Sequence, residues 1–407
     1  MQPLQTSERA ASPLPLRPLI ANTLAFALAF AAWVVLGPAS RLIAKELGLD
    51  PGTGALVKAL PILTGSLLRI PVGMLTDRLG ARRVFPALLV SAGAGALFLA
   101  QASTVAQVLV GGLVLGFAGT TFVVGVQSVS AWTPRERQGL ALGCFGAGNV
   151  GTALTTFGFP LLAVALGWRS TLIVYAAVLL AAAVLYALAV RDVPRTACAS
   201  LATLLAPLAA AGAWLLGAYY VATFGVFVAT TLLVTDLYVD AWGLSLAAAG
   251  MVATTFTFTA SLARIPGGAL ADRFGARVVL GYSIPVVACA LVPVSMGPPL
   301  VVAAVFLLVA GLALGAGMAA TFKAIPERFP DQVGAVGGIV GALGGLGGFL
   351  LPLAGIWARQ VLGSPFAVFV PLAATCCLAG LILVIDERRR GAQVAAPVAP
   401  AAVGSAS

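Results

Sequence analysis

Two arginines stand inside apolar stretches of this chain, and each opens the same motif. The first copy runs from Arg69 to Arg82 and the second from Arg264 to Arg277, 195 positions later, with ten of fourteen residues identical. A guanidinium group in an apolar segment is a permanently charged, planar fork of hydrogen-bond donors, which suits recognition of a small anion. The motif pair therefore predicts an anion site assembled from two related halves.

The depth of these arginines follows from the aspartates that end their helices. Arg69 precedes Asp77 by eight residues, as Arg264 precedes Asp272. Eight residues are roughly 12 Å of helix, which reaches close to the centre of a ~30 Å hydrocarbon core. All 13 acidic residues fall in predicted loops, tails or helix ends, so the missing counter-charge is expected to be an anionic ligand. The alternative is that both arginines reach the interface or bond to backbone carbonyls.

The composition indicates the elements that hold the arginines. The chain is 60% hydrophobic and 9% charged, with a mean hydropathy of +1.06, which no water-soluble core of this size accommodates. A repeat at half the chain length is typical of transporters built from two copies of one unit. We predict an all-α membrane protein with twelve transmembrane helices in two pseudo-symmetric six-helix bundles. The predicted spans lie near 20–43, 54–76, 84–104, 106–130, 139–163, 168–190, 204–235, 247–271, 277–295, 299–323, 333–357 and 365–385.

The distribution of charge predicts the orientation. With both termini in the cytoplasm, 16 of the 23 basic residues lie on the inner side and five on the outer side, in agreement with the positive-inside rule. The basic residues of the inner loops and tails therefore explain the net charge of +10, and this charge does not indicate a nucleic-acid partner. We expect a multi-pass protein of the inner membrane with these parts: a disordered cytoplasmic tail (1–17), an N-terminal bundle (18–190), a cytoplasmic linker (191–203), a C-terminal bundle (204–386) and a second disordered cytoplasmic tail (387–407).

Other classes of protein are disfavoured by what the predicted spans lack. The five cysteines form no CxxC pair and the chain has no histidine, so we expect no metal, cofactor or disulfide. A membrane-embedded enzyme needs carboxylates, histidines or a metal set within its spans, and none is predicted there. A non-transporting sensor is expected to carry an added soluble signalling domain, which the short tails and linker do not provide.

The ends of the two motifs predict a second kind of site. Aspartates there can cap a neighbouring helix N-terminus, and the arginines can bridge to cytoplasmic helix ends. Found once, the string would be only a positively charged loop; found twice, it resembles the loop signature of the major facilitator superfamily. We expect a role in the inward/outward switch rather than in binding for Asp77, Arg78, Arg82, Asp272, Arg273 and Arg277.

Two glycine runs follow at matching positions of the two halves. Small residues at four-residue spacing let helices approach closely, and packing alone is their default explanation. Asn149 within the first run favours a binding role, because an amide in a span needs a partner and can donate to an anion. The glycines concerned are Gly146, Gly148, Gly151, Gly341, Gly344, Gly345, Gly347 and Gly348.

Together, these features resemble the nitrate/nitrite porter family. The resemblance rests on the first glycine run, the segment from Phe322 to Pro352 and the two Arg-Ile-Pro strings, and it covers roughly residues 20–385. It implies that Arg69 and Arg264 bind the anion. Further pocket positions that it implies are Asn149, Tyr220, Phe224, Phe122 and, as the weakest match, Phe30.

The aromatic positions are also consistent with a flat anion. Tyr220 and Phe224 are one helical turn apart and share a face, while Phe30 precedes Phe224 by 194 residues, close to the repeat period. Planar guanidinium forks suit nitrate, and facing rings would admit a plane but crowd a tetrahedral anion. Taken alone, each phenylalanine would be interpreted as lipid-facing.

These inferences predict a monomeric secondary transporter of nitrate and nitrite that works by alternating access. Exchange is favoured over proton symport, because the predicted spans carry no titratable relay and two facing arginines repel each other without an anion between them. Three alternatives remain open: nitrate/proton symport, transport of another small anion such as formate, oxalate or cyanate, and a membrane sensor.

Overall fold

The computed structural model describes residues 14–192, 209–329 and 333–395. Within these ranges every long element is a helix, and twelve helices have the length and composition to cross a membrane, which confirms the predicted fold class. They are α1 (Leu16–Leu47), α2 (Pro51–Thr76), α3 (Ala81–Ala100), α4 (Val105–Trp132), α5 (Gln138–Leu166), α6 (Trp168–Ala189), α7 (Ala211–Trp242), α8 (Leu246–Phe274), α9 (Ala276–Ser295), α10 (Leu300–Arg328), α11 (Ala335–Leu362) and α12 (Pro365–Asp386).

The helices form two bundles that meet along two seams. In the first bundle α3 packs against α6 and α2 against α4, and in the second α9 packs against both α10 and α12. Across the interface, α2 packs along α11 and α5 packs along α8. Both seams contain one arginine helix and one glycine-rich helix, so the repeated motif lies where the two halves meet.

Prolines in the repeated motif interrupt both arginine helices at the same point. Pro71 and Pro266 have no N–H to bond the carbonyl four residues earlier, and the helix breaks at Leu68 and at Ala263. A new segment starts at the next residue: Arg69–Leu79, which continues α2 past Thr76, and Arg264–Phe274, which completes α8. Each arginine is therefore the first residue of its segment.

Three further helices change their pitch near the centre of the bundles. A 3₁₀ turn occupies Gly116–Thr120 in α4 and another occupies Ala147–Val150 in α5, while a π turn occupies Val221–Gly225 in α7. Such irregular turns in the middle of a helix are frequent at functional sites. Residues Phe122, Asn149, Tyr220 and Phe224 lie within these turns or directly beside them.

Two predicted boundaries differ from the structure. The final helical segment runs from Val370 to Ala395, so residues 387–395 are helical although the sequence suggested a disordered tail from 387. Good helix formers such as Glu, Arg, Gln and Ala continue past the span, and no proline occurs there before 397. At the other end, α1 already includes Leu16 and Arg17. Most of the predicted linker, residues 193–203, lies outside the described ranges, as do residues 204–208.

Candidate functional site

The two motif arginines are buried, each against the glycine run of the opposite bundle. Arg69 has 0% and Arg264 has 1% of its surface exposed. A Cβ added to Gly341 in α11 would lie 3.3 Å from Cδ of Arg69, and one added to Gly146 in α5 would overlap the guanidinium of Arg264. The missing glycine side chains thus provide the space that the long arginine side chains occupy.

Arg69 is held by backbone carbonyls of both bundles. Its Nε donates to the carbonyl of Gly119 at 3.3 Å, and its Nη1 donates to the carbonyl of Gly341. Its Cζ also lies 5.6, 5.4 and 5.2 Å from the ring centroids of Trp33, Phe122 and Phe224, respectively. Backbone carbonyls therefore satisfy part of this side chain, while its buried Nη2 makes no hydrogen bond to any described residue.

Arg264 contacts a thioether, an aromatic ring and a hydroxyl rather than backbone carbonyls. Its Nη1 lies 3.5 Å from the sulfur of Met318, its Cζ lies 5.7 Å from the ring centroid of Phe122, and the hydroxyl of Tyr220 lies beside the guanidinium. The buried Nε atom makes no hydrogen bond within the described part of the chain. If backbone carbonyls took the place of an anion, both arginines would bond to the backbone. No described carbonyl accepts a bond from Arg264, so this alternative does not hold for the pair.

No carboxylate with a described side chain forms an ion pair with either arginine; the ion pairs lie elsewhere. Two like charges in a medium of low dielectric constant repel strongly and favour a ligand of opposite sign. Arg69 and Arg264 also repel each other across the interface between the bundles. The centre of the interface is consequently a positively charged site with unused donors.

The predicted aromatic residues surround these charges. Tyr220 and Phe224 lie with ring planes 2° apart, and Phe122 faces them at centroid distances of 6.5 and 6.3 Å with interplanar angles of 16° and 14°. Phe30 lies 6.2 Å from Phe224, tilted by 48°. All four side chains are at most 1% exposed, which excludes the lipid-facing interpretation. Nearly parallel rings on opposite sides form walls for a flat guest.

Two aromatic residues complete the walls and were not predicted as site residues. Phe322 of α10 meets Phe122 edge-on at 5.0 Å and 89°, and it meets Tyr220 at 4.9 Å and 75°. Trp33 of α1 contacts Arg69 and donates from its indole nitrogen to the carbonyl of Pro61 at 2.8 Å. Trp33 follows Phe30 by three residues, so helical spacing from that weakest match was the signal available in the sequence.

Asn149 is fully buried beside Arg264. Its Nδ2 lies 3.9 Å from the sulfur of Met318, while its Oδ1 makes no hydrogen bond to the residues that the structure describes. An amide in this position has donor capacity beyond a weak sulfur contact. The structure therefore places Asn149 and Arg264 around the sulfur of Met318, a neighbour that the sequence did not reveal.

Besides Gly146 and Gly341, the six other predicted glycines fall into two groups. Gly344 and Gly345 line the site, since an added Cβ would overlap the ring of Tyr220 in the first case and Ser66 in the second. The other four bring helix backbones together: Gly148 against Phe26, Gly151 against Ala27, Gly347 against Val221 and Gly348 against Val228. The two glycine runs therefore contribute both to helix packing and to formation of the site.

The predicted switch residues lie on the face where α1 begins and α12 ends, which we call the terminal face. Asp272 accepts hydrogen bonds from the backbone N–H groups of Gly139 at 3.1 Å and Leu140 at 2.8 Å, and it pairs with Lys323 at 2.8 Å. It thereby caps the start of α5 from the other bundle. Lys323 was not predicted as a site residue; only its position in the Phe322 to Pro352 segment pointed to it.

The remaining switch residues make other contacts. Arg82 donates from Nε to the carbonyl of Ala187 at 3.1 Å, and Arg277 lies 3.8 Å from Asp386, both within their own bundle. Arg273 stacks on Phe274 at 5.1 Å, and Arg78 is exposed. The side chain of Asp77 lies outside the described part of the structure.

The opposite face is closed by a cluster of ion pairs, in which Asp236 and Asp240 of the C-terminal bundle meet Arg41 and Lys58 of the N-terminal bundle. Asp236 of α7 pairs with Arg41 of α1 at 2.5 Å and with Lys58 of α2. Asp240 of α7 pairs with Arg359 of α11 at 2.6 Å and lies 3.4 Å from Arg41. The charged centre therefore lies between two sets of contacts that join the bundles, one at each face.

Two six-helix bundles, a buried charged site at their interface and inter-bundle contacts at both faces define a secondary membrane transporter rather than an enzyme. Comparison with known families agrees: the model of the major facilitator superfamily matches residues 23–216 and 215–405. The chain belongs to that superfamily and, within it, to the nitrate/nitrite porter family.

Relatives of this chain support the assignment. The chain is 37% identical to the Thermus thermophilus protein named "Probable nitrate/nitrite antiporter NarK1", over 88% of both sequences. It is 33% identical to the Bacillus subtilis "Nitrite extrusion protein", over 89% of this chain and 92% of that one. Among solved structures, the human organic anion transporter MFSD10 superposes with a TM-score of 0.74 over 91% of this chain and all of its own, at 17% identity, which supports the fold alone.

Proposed function

We propose that this protein transports nitrate and nitrite by alternating access, and that Arg69 and Arg264 bind the anion. The observation that carries the proposal is the pair of buried guanidinium groups, one from each bundle, with free donors and no paired carboxylate among the described side chains. Relatives named for nitrate or nitrite support the choice of cargo.

The chemistry of the walls favours a flat, monovalent anion. Arg69 and Arg264 offer planar forks that match the in-plane acceptors of nitrate or nitrite. Phe122 on one side and Tyr220 with Phe224 on the other present nearly parallel rings, with centroids 6.5 and 6.3 Å apart. Asn149 supplies an amide donor beside Arg264. Tetrahedral sulfate or phosphate is broader in every direction and carries more charge to desolvate.

Exchange of one anion for another follows from the same charges. The two guanidinium groups come from different bundles and repel when they are brought together, and an anion between them removes that cost. No aspartate or glutamate with a described side chain pairs with them to carry a proton. We therefore propose nitrate/nitrite exchange, with the anion required each time the interface closes.

The proposed setting is the inner membrane, with the terminal face in the cytoplasm and the protein acting as a monomer. Segments 18–190 and 204–386 are the proposed moving units, joined by 191–203. Opening toward the cytoplasm would break the contacts of Asp272 with α5, while opening outward would break the pairs of Asp236 and Asp240 with Arg41. The basic residues on the terminal face suit the positive-inside rule.

Counterflow in proteoliposomes tests the proposal. Vesicles that contain the purified protein and are loaded with unlabelled nitrate should accumulate ¹⁵N- or ¹³N-labelled nitrate from outside. External nitrite should compete, while formate, oxalate, cyanate and sulfate should compete weakly. Protein-free vesicles and the Arg264→Lys variant are the controls. Equal competition by formate or cyanate would reassign the cargo to another small anion, and absence of counterflow for every anion would favour a sensor.

A further inference from the structure

Met318 lies where donors of the two bundles converge. Its sulfur is 3.5 Å from Nη1 of Arg264, which belongs to the C-terminal bundle, and 3.9 Å from Nδ2 of Asn149, which belongs to the N-terminal bundle. The side chain is fully buried in α10. Of the site residues, Met318 alone contacts both the second arginine and the amide through an acceptor atom of its side chain.

A thioether is a weak substitute for the oxygen that such donors prefer. Sulfur accepts hydrogen bonds poorly, whereas a guanidinium bonds an anionic oxygen through short, charge-assisted contacts about twice as strong as neutral ones. Methionine also has three rotatable bonds, so its sulfur can leave and return without moving the backbone. The sulfur is neutral, so it supplies an acceptor but does not cancel the arginine charge.

We propose that Met318 is an affinity-setting residue whose sulfur competes with the transported anion for the donors of Arg264 and Asn149. The anion displaces the sulfur on binding, and the sulfur returns to the donors as the anion leaves. Because these buried donors always have an acceptor, the anion-free arrangement costs less free energy and release is faster. The inference rests on the proposed function, since it concerns the same anion site.

Two substitutions of similar volume alter the competition in opposite directions. Met318→Leu keeps the volume and removes the acceptor, so the donors are unpaired without an anion. Met318→Gln replaces sulfur by an amide oxygen, which is a stronger competitor. We expect Met318→Leu to lower the KM for nitrate about fivefold and to slow turnover, and Met318→Gln to raise the KM by about the same factor, as a change of one hydrogen bond predicts.

The experiment measures KM and turnover for nitrate counterflow in proteoliposomes, and Kd by calorimetry in detergent, for the wild type and both variants. Met251→Leu is the matched control, because Met251 lies in α8 with 53% of its surface exposed, and it should leave all constants unchanged. A defect of folding would impair both Met318 variants in the same direction. Opposite shifts of Kd support the proposal; unchanged constants, or shifts of the same sign, overturn it.

Failure of this inference is distinguishable from failure of the proposed function. If wild-type protein transports nitrate and Arg264→Lys abolishes transport while both Met318 variants keep the wild-type Kd, the anion site stands and the role of Met318 is rejected. If wild-type protein neither binds nor exchanges nitrate, the proposed function is rejected, and the inference about Met318 is rejected with it.

Discussion

Arg69 and Arg264 share one aromatic ring: their Cζ atoms lie 5.4 and 5.7 Å from the ring centroid of Phe122. The sequence repeat makes the two arginines equivalent, but their hydrogen bonds are not. Arg69 donates to carbonyls of Gly119 and Gly341, whereas Arg264 meets the sulfur of Met318 and the hydroxyl of Tyr220 and bonds to no described carbonyl. Arg264 therefore has more donor capacity left for a ligand, while Arg69 also joins the two bundles.

Replacement of either arginine by lysine should abolish transport. An ammonium group keeps the charge but loses the planar fork, and each charge-assisted bond is worth about 1.5–3 kcal/mol, so nitrate affinity should fall roughly 10- to 100-fold. Arg69→Lys and Arg264→Lys are compared with Arg83→Lys, an exposed position on the terminal face. The measurements are nitrate counterflow and the amount of folded protein in the membrane. Normal counterflow by either buried variant would remove that arginine from the mechanism.

The glycine next to Arg264 should not tolerate even one methyl group. In Gly146→Ala the added Cβ overlaps the guanidinium and pushes it from its position, and overpacking of this kind costs about 1–3 kcal/mol. Nitrate counterflow should fall about tenfold or more. Gly158→Ala is the control in the same helix, because an added Cβ there meets no atom within 4 Å. Equal activity of the two variants would contradict the packing seen around Arg264.

The aromatic walls should control which anions are accepted. Phe122→Ala and Phe224→Ala each remove one wall of the space between nearly parallel rings. We expect weaker nitrate affinity, by about tenfold, and stronger competition by bulkier anions such as sulfate. Phe157→Ala in α5 is the control, since that side chain is 47% exposed. A competition profile identical to the wild type in both buried variants would show that the rings do not select the anion.

Much of this architecture could be predicted because apolar length and the repeat are properties of the sequence alone. The repeat also pointed to Arg69, Arg264 and the glycine runs, which lie at the centre of the candidate site. Met318, Phe322 and Lys323 were missed because a buried methionine, phenylalanine or helix-end lysine looks alike in sequence whether it packs or binds. Their role depends on which α10 face meets α7 and α8, and helix pairing across the interface is not encoded in any local pattern.

The contact of Asp272 with α5 should control closure at the terminal face. Asp272→Ala removes an N-cap from the other bundle together with the ion pair to Lys323, and loss of such a cap costs about 0.5–2 kcal/mol. Hydrogen exchange of the amides near Gly139 and Leu140 should accelerate, and counterflow should slow. Asp50→Ala is the control: Asp50 caps α2 within its own bundle through Gly52 and Thr53. Unchanged exchange in α5 would show that the contact does not hold the bundles together.

The charges at the centre of the interface should couple nitrate uptake to the exit of another anion. Arg69 and Arg264 are buried, neither pairs with a carboxylate among the described side chains, and the sulfur of Met318 is neutral. Closing the interface around two bare guanidinium groups is therefore unfavourable unless an anion lies between them. We expect nitrate uptake into vesicles only when nitrate or nitrite is present inside, at a rate that an imposed pH gradient leaves unchanged. Vesicles that hold only gluconate and buffer should take up no more nitrate than protein-free vesicles. Accumulation of nitrate in those vesicles on a pH gradient would instead establish proton symport, and it would require a proton path that avoids the two arginines.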